Sequence, residues 1–492
     1  MIRLSFAAII LVSLAATAAL ADKSTASSGG KYRPASDHAA NDLYNLGVLG
    51  ARAAFVANPG GGAKGGFEVV ELTEDGALAK AGVEIGDLII GAPRAFGDDP
   101  YMELAPKILD AQATKKGGAM QLSLWRDEKT KLVKPVVQGV GAGVKAWPTG
   151  SSRDAIVANS LEWLAKSQAD DGSFGDEFET PIAVVQTSIA GMAFLAAGHT
   201  LNQGAYRMNL KKATEYVVAH AGECDHKPIS GVTKSMVHWS LACSAIFLCE
   251  LQAASPLRGV EDKLLKLRDG ILAGVLESGG IGHGPGGRNE LGYNEFAAIT
   301  NVCIIALGAL QTSGHEVPKA KLDAMLAYIE KCAGDSGGIG YATDAGYAGN
   351  GNCGRTGAAI VAMHATDQTK HPLYKRATRW LQQNLDKVVE GHASPTMHHL
   401  TTAMACWAMG KNDWKAYGET YLHEMTMLRC ADGSFTARPT EETAKLKYNP
   451  DGSQGREYTT ASWVIVLCLD CENLCTTFGK KARKGKRTPI GN

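Results

Sequence analysis

The sequence carries no excess charge of either sign: 50 Lys and Arg residues are matched by 50 Asp and Glu. That balance excludes the broad attraction by which basic chains hold polyanions, so composition points neither to nucleic acid nor to an acidic surface. Beyond the N-terminal run that ends at Ala21, no stretch reads as long and apolar enough to cross a bilayer. A DxDD run is missing, and with it the strongly polarised acid needed to protonate an alkene. Cys468, Cys471 and Cys475 fall on one helical face, which opens a metal reading. They lack the second CxxC or nearby His that would complete a zinc set.

What is present is bulk. A chain of 492 residues, 45% hydrophobic and 20% charged, is long enough for two or three domains with substantial cores. Arg3, the apolar run Leu4–Leu20 and the small-residue ending Ala19-Leu20-Ala21 follow the order of a secretory signal peptide. Cleavage is expected after Ala21, giving a periplasmic or secreted protein. The other reading, an uncleaved anchor, needs roughly 17–25 apolar residues, and this stretch sits at the short end. Of the eleven cysteines, Cys243, Cys249, Cys303 and Cys406 lie in apolar helical runs and read as small buried hydrophobes. Cys224, Cys332, Cys430, Cys471 and Cys475 sit near helix ends and are disulfide candidates, with connectivity open.

Along the chain, the signal peptide (1–21) is followed by a Ser, Gly and Lys-rich leader (22–40) without periodicity. Residues 41–140 turn to β-rich runs, at Phe67–Leu72, Asp87–Ile90, Met120–Arg126 and Leu132–Val137, with helices at Ala77–Ala81 and Tyr101–Gln112. The run VVELTEDGALAKAGVEIGDLIIG resembles the core of a bacterial PDZ domain. Upstream, Leu46-Gly47-Val48-Leu49-Gly50 resembles the PDZ carboxylate-binding loop, although its side chains depart from the usual Gly-Leu-Gly-Phe order. Glycines in such a loop let backbone N–H groups turn inward on a peptide's terminal carboxylate while the peptide adds a strand to the sheet edge. The resemblance implies capture of a peptide or protein C-terminus by Leu46–Gly50. The fold can also serve purely as a docking module.

A Gly, Ser and Pro-containing linker (141–152) leads into helical periodicity over 153–478, with a basic tail (479–492) after it. Amphipathic outer helices are expected near 153–167, 209–221, 260–276, 317–332, 373–388 and 414–428. More uniformly apolar inner helices are expected near 183–197, 236–251, 296–311, 356–365, 399–409 and 460–470. Six such hairpins, with glycine-rich loops such as DGSFG and DSGGIGY at their joints, are expected to close into an (α/α)6 toroid with all inner N-termini at one end of a cavity. The segment Gln168-Ala169-Asp170-Asp171-Gly172-Ser173-Phe174-Gly175 resembles the repeat of terpenoid cyclases and protein prenyltransferases. Asp432-Gly433-Ser434-Phe435 and Gly337-Gly338-Ile339-Gly340 are weaker copies. The fold class expected is therefore multidomain: a small, mostly β PDZ-like domain plus an all-α toroid. The whole resembles a family of exported bacterial proteins that join these two parts.

Chemistry is harder to assign. A prenyltransferase-like zinc would draw on Cys353 and His398, but the carboxylate is missing, since the neighbours are Asn350 and Asn352. Toroidal polysaccharide lyases abstract a proton beside a uronate, with Asn or Arg neutralising the acid and His or Tyr acting as base. Asn352, Arg355, His398, His399, Arg456 and Tyr458 have the required types near inner-helix starts. The same groups also suit helix capping and loop holding. Asn294-Glu295, Thr401-Thr402, Thr459-Thr460, Lys234 and His238 read first as capping, packing or structural residues, and Lys480–Arg487 as a solvated basic run. Two functions follow. One is an exported binding protein in which the PDZ-like domain captures a terminus and the toroid is an interaction body. The other is an envelope enzyme acting on a saccharide or peptide in the toroid cavity. No cofactor is implied by either.

Overall fold

The computed structural model describes residues 43–114, 116–175, 180–223, 236–284, 294–344, 349–392, 394–437, 439–440, 450–478 and 488–491. The signal peptide, the leader, Cys224, Lys234 and the run Lys480–Arg487 lie outside the described residues. The described chain comprises a small antiparallel sheet region and a large helical body. It divides into two compact units, one holding residues up to Trp163 with Gly418–Thr460, the other Leu164–Tyr417 with Ala461–Ile490. The division falls after Trp163, Tyr417 and Thr460.

In the sheet region the elements run β1 (Tyr44–Asn45), β2 (Ala51–Gly60), β3 (Ala63–Leu72), α1 (Ala77–Lys80), β4 (Leu88–Gly91), α2 (Pro100–Gln112), β5 (Gly118–Ala119), β6 (Leu122–Arg126), β7 (Lys129–Val133) and β8 (Val136–Val137). Six strands pair in the order β1-β2-β3-β4-β6-β7, and β5 pairs with β8. Alternation along β3 turns Phe67 and Val69 inward, both fully buried, against Ile89, Leu122 and Leu124. Helix α2 starts where Asp99 accepts the Met102 N–H at 3.0 Å and Pro100 presets the first turn, and it buries Leu104 and Ile108 one turn apart. Asp87, from the Gly-Asp pair of the PDZ-like run, is buried and takes the Arg126 guanidinium in a two-point bond, Nε and Nη2 each at 2.5 Å. Asp87 also accepts the Glu84 N–H at 2.8 Å, so the acid fixes the turn into β4.

The helical elements follow as α3 (Gly150–Ser167), α4 (Thr180–Ala196), α5 (Arg207–His220), α6 (Val237–Ala254), α7 (Val260–Ala273), α8 (Ala297–Thr312), α9 (Lys319–Cys332), α10 (Cys353–Ala365), α11 (Pro372–Gln383), α12 (Pro395–Met409), α13 (Lys411–Leu428) and α14 (Pro450–Leu467), the last broken at Gly455. Outer and inner helices alternate as expected. Helix α11 buries only the stripe Leu373, Ala377 and Leu381, whereas α10 buries every residue but His364. Within the second unit each inner helix lies on the next, α4 on α6, α6 on α8, α8 on α10 and α10 on α12. The inner helices α4, α6, α8 and α10 also each pack on the outer helix that follows. Every fully buried Leu or Ile in these seams contributes about 1.5–3 kcal/mol.

Two expectations need correction. Helix α6 does have the length and hydropathy of a membrane span, at 18 residues and a mean hydropathy of 1.2. Most of it, however, is buried among α4, α7 and α8. Cys332 and Cys430 are buried thiols and form no bridge. A further contact closes the second unit. Glu250, buried on α6, accepts the N–H groups of Cys475, Thr476 and Thr477 and the Thr477 hydroxyl, all at 2.5–2.8 Å. Beside it, Asn473 Nδ2 donates to Ala196 O at 2.9 Å, and Ile490 N–H donates to Ala197 O at 3.0 Å.

Candidate functional site

Four joints between outer and inner helices share one construction. In the first, Ala169 N–H donates to Ser173 O, Gly172 N–H donates to Ala169 O, and Phe174 N–H donates to Thr187 Oγ1 on α4, all at 3.0 Å. The same three bonds recur with Leu276, Gly279, Gly280, Ile281 and Thr300, then with Gly334, Gly337, Gly338, Ile339 and Thr356. They recur again with Cys430, Gly433, Ser434, Phe435 and Thr460. Each loop thereby pins a buried Phe or Ile to a threonine of the inner helix. The glycines at 172, 279, 337 and 433 all have φ between +91° and +101° and press on the backbone of another outer helix, at Lys212, Ala324, Arg376 and Asn159 respectively. Sequence reading does not single out Thr187, Thr300 and Thr356, because loops of unequal length hide their spacing from the glycine motif.

The joint before α10 carries the least generic residues, and the structure brings three of the candidates together there. Asn352 caps α10 by accepting the Arg355 N–H at 2.9 Å, and its Nδ2 donates to Glu390 O at 3.3 Å and to His398 Nε2 at 3.0 Å. Arg355, only 5% exposed, spreads its guanidinium over three loop carbonyls: Ile339 O at 3.2 Å, His392 O at 3.3 Å and Asn350 O at 3.0 Å. It also lies 5.7 Å from the centre of the Tyr341 ring. His398 is fully buried, with Nδ1 donating to Val388 O at 3.2 Å, so its other nitrogen is the acceptor for Asn352. Burial and the nearby Arg355 charge lower its pKa to about 3. Both nitrogens of this neutral imidazole are thus engaged, the acceptor nitrogen by Asn352 and the donor by Val388 O.

The remaining candidates are placed elsewhere. His399 turns to Tyr417, Nδ1 to Oη at 3.1 Å, and packs on the Trp463 ring. Arg456 and Tyr458 belong to the first unit, where Arg456 binds both Asp432 oxygens at 3.0–3.1 Å, touches Ser434 Oγ and lies over Trp163. Tyr458 is buried. The Cys353 thiol donates to Asn384 O at 3.0 Å, and burial pushes its pKa up to about 12. Among the described residues no three His, Cys, Asp or Glu side chains gather as metal ligands. His238 is buried with Nδ1 at 2.8 Å from Gly282 O, Asn294 is exposed, and Glu295 lies along Gly280. A small pocket in the helical body is lined by Leu381, Gln382, Leu385, Cys406, Met409 and Asp413, and none of the six candidates lines it.

The loop Leu46–Gly50 forms a 3-10 turn between β1 and β2, with Leu46, Gly47, Leu49 and Gly50 buried and Val48 half-buried. Leu46 N–H donates to Ala51 O, Leu49 N–H to Leu46 O and Gly50 N–H to Gly47 O, so three of its five amides serve the turn itself. Strand β1 occupies the edge of β2, Tyr44 opposite Ala53 and Asn45 opposite Arg52. The Tyr44 ring sits on Phe67 and on Tyr101 of α2, at 6.0 and 5.4 Å. Asn45 Nδ2 donates to the carbonyls of Met427 and Arg429 at the end of α13, at 2.7 and 3.4 Å. Met427 is fully buried in the sheet region's core.

Fold and site together define a protein with a small antiparallel sheet region and a large body of paired helices, whose polar joint residues bind loop backbone. Within that class the chain belongs to the family described as a domain of unknown function, DUF6288, which matches residues 153–475. Similar solved structures include a protein from Actinoplanes, with 14% identity and a TM-score of 0.43, covering 65% of this chain and 99% of its own. The type II terpene cyclase MstE from Scytonema is matched with the same identity and coverage and a TM-score of 0.39. No curated protein matches the chain.

Proposed function

We propose that this chain is an exported protein-binding protein without a catalytic centre among the six candidate residues, built from a PDZ-like module and an (α/α)6 ring that serves as an interaction body. One observation carries the reading: the Arg355 guanidinium, the best candidate for neutralising a bound acid, is spread over Ile339 O, His392 O and Asn350 O. A group so engaged costs several kcal/mol to redirect. His398 supports the same conclusion. Ring closure is supported by Gly433, which presses on Asn159 of the first outer helix as the other joint glycines press on the next outer helix. Ser160 Oγ adds a bond to Gly433 O at 2.7 Å. The PDZ-like assignment is supported by element order and by the role of Asp87. Export is supported by Arg3 and the Leu4–Leu20 run.

The partner proposed for the sheet module is a peptide or protein C-terminus. An array of C-terminal peptides, each in free-acid and amidated form, tests it on the mature full-length chain. Binding that vanishes on amidation is expected. Equal retention of both forms removes carboxylate capture.

A further inference from the structure

We infer that the loop Leu46–Gly50 already holds a ligand in cis, the segment Thr426–Arg429 that ends α13, and that this internal contact and capture of a free terminus exclude each other. The second half rests on the capture reading, whereas the first stands on contacts within one compact unit.

A peptide terminus offers such a loop three things: an oxygen acceptor, an apolar last side chain and a strand for the sheet edge. The first two are met by Thr426–Arg429, and the third by the strand that leads into the loop. The acceptors are the carbonyls of Met427 and Arg429, helix-end groups without intrahelical partners, both taken by the Asn45 carboxamide. The apolar side chain is Met427, fully buried in one cluster with Leu46, Leu49 and Ile108. The strand is β1, paired to β2 at Ala53 and Arg52, with Tyr44 filling the space between Phe67 and Tyr101. Gly47 shows how close the approach is. With φ at +64°, a Cβ there would stand 3.1 Å from Thr426 O and 3.6 Å from Met427 Cα. The segment thus lies directly against Gly47, where a second chain would meet it. If both occupants compete for one loop, each lowers the other's affinity by the same factor, and free peptide binds only the opened fraction.

Methionine oxidation by dilute hydrogen peroxide, read by peptide mass on the mature full-length chain, tests both halves. Met208, 56% exposed, is the internal reference. Met427 is expected to oxidise at least about tenfold more slowly than Met208. Asn45→Ala, or Asn45→Asp if the first variant is unstable, is expected to speed Met427 oxidation and to tighten free-acid peptide binding together. Saturating free-acid peptide should also speed Met427 oxidation in the wild type, and amidated peptide should not. Met427 reacting as fast as Met208 overturns the internal contact. Bound peptide that leaves the Met427 rate unchanged overturns the exclusion. If no peptide binds wild type or variant, yet Met427 is protected and Asn45→Ala deprotects it, the internal contact stands and carboxylate capture falls.

Discussion

Replacing Gly279 and Gly314 by alanine separates two reasons for a glycine at a helix joint. Both sit in left-handed backbone, with φ at +91° and +95°. An L residue in that region costs about 1–2 kcal/mol. Their surroundings differ. A Cβ on Gly279 would lie 2.2 Å from Ala324 O and 2.7 Å from Ala324 C, backbone atoms of α9 that cannot rotate aside, while at Gly314 nothing stands within 4 Å. Overpacking against a fixed helix adds about 1–3 kcal/mol. Gly314→Ala is therefore expected to cost about 1–2 kcal/mol and Gly279→Ala about 2–5 kcal/mol. Urea unfolding followed by far-ultraviolet circular dichroism gives the comparison, as midpoints at a common slope. Coincident midpoints for the two variants would refute the claim that the neighbouring outer helix, and not backbone conformation alone, demands glycine at the joint.

Three further outcomes are expected. Because the folded-state pKa of His398 lies near 3, below its ordinary value of 6.5, the unfolded chain takes up a proton that the folded chain refuses. Stability should then fall on acidification below about 6.5, by up to about 1.4 kcal/mol per pH unit, and His398→Gln should flatten the slope between about pH 6.5 and 5. Parallel slopes for the two proteins would rule this out. Arg355→Lys, which cannot reach three carbonyls at once, should lose about 2–4 kcal/mol in thermal or urea unfolding, and an unchanged midpoint would contradict the loop-holding role. Cys243, Cys249 and Cys353, whose thiols burial pushes up to about 12, should resist an aromatic disulfide reagent until the chain unfolds. Rapid modification of any of them in native buffer would place it nearer solvent than described.

The helices are legible because their periodicity is local. Leu373, Ala377 and Leu381 mark the buried stripe of α11, and the small apolar run of α10 announces a helix buried on all sides. Strand β2 escapes a sequence reading, since ARAAFVANPG is alanine-rich and carries a proline near its end, leaving little alternation to detect. Asn352, Arg355 and His398 do gather at one joint, yet residue type alone does not tell a catalytic cluster from a cap, because that depends on which carbonyls the loops present. Thr187, Thr300 and Thr356 are invisible for a related reason: each is defined by a partner 13 to 19 residues away across a loop of variable length. Contacts such as Asn45 with Met427, 382 residues apart, carry no local signal at all.

The buried carboxylate of Glu250 ties the fold to the order in which the chain is made. Its four donors lie between Cys475 and Thr477, some 225 residues downstream, so a nascent chain has nothing to offer this acid until those residues are made. Burying the carboxylate before then leaves an ionised group without partners, at a penalty of several kcal/mol. Until those residues emerge, the end of α6 is better hydrated than packed. A chain stopped short of residue 475 lacks all four donors, and it is expected to be a substrate for chaperones and proteases rather than a smaller version of the same protein.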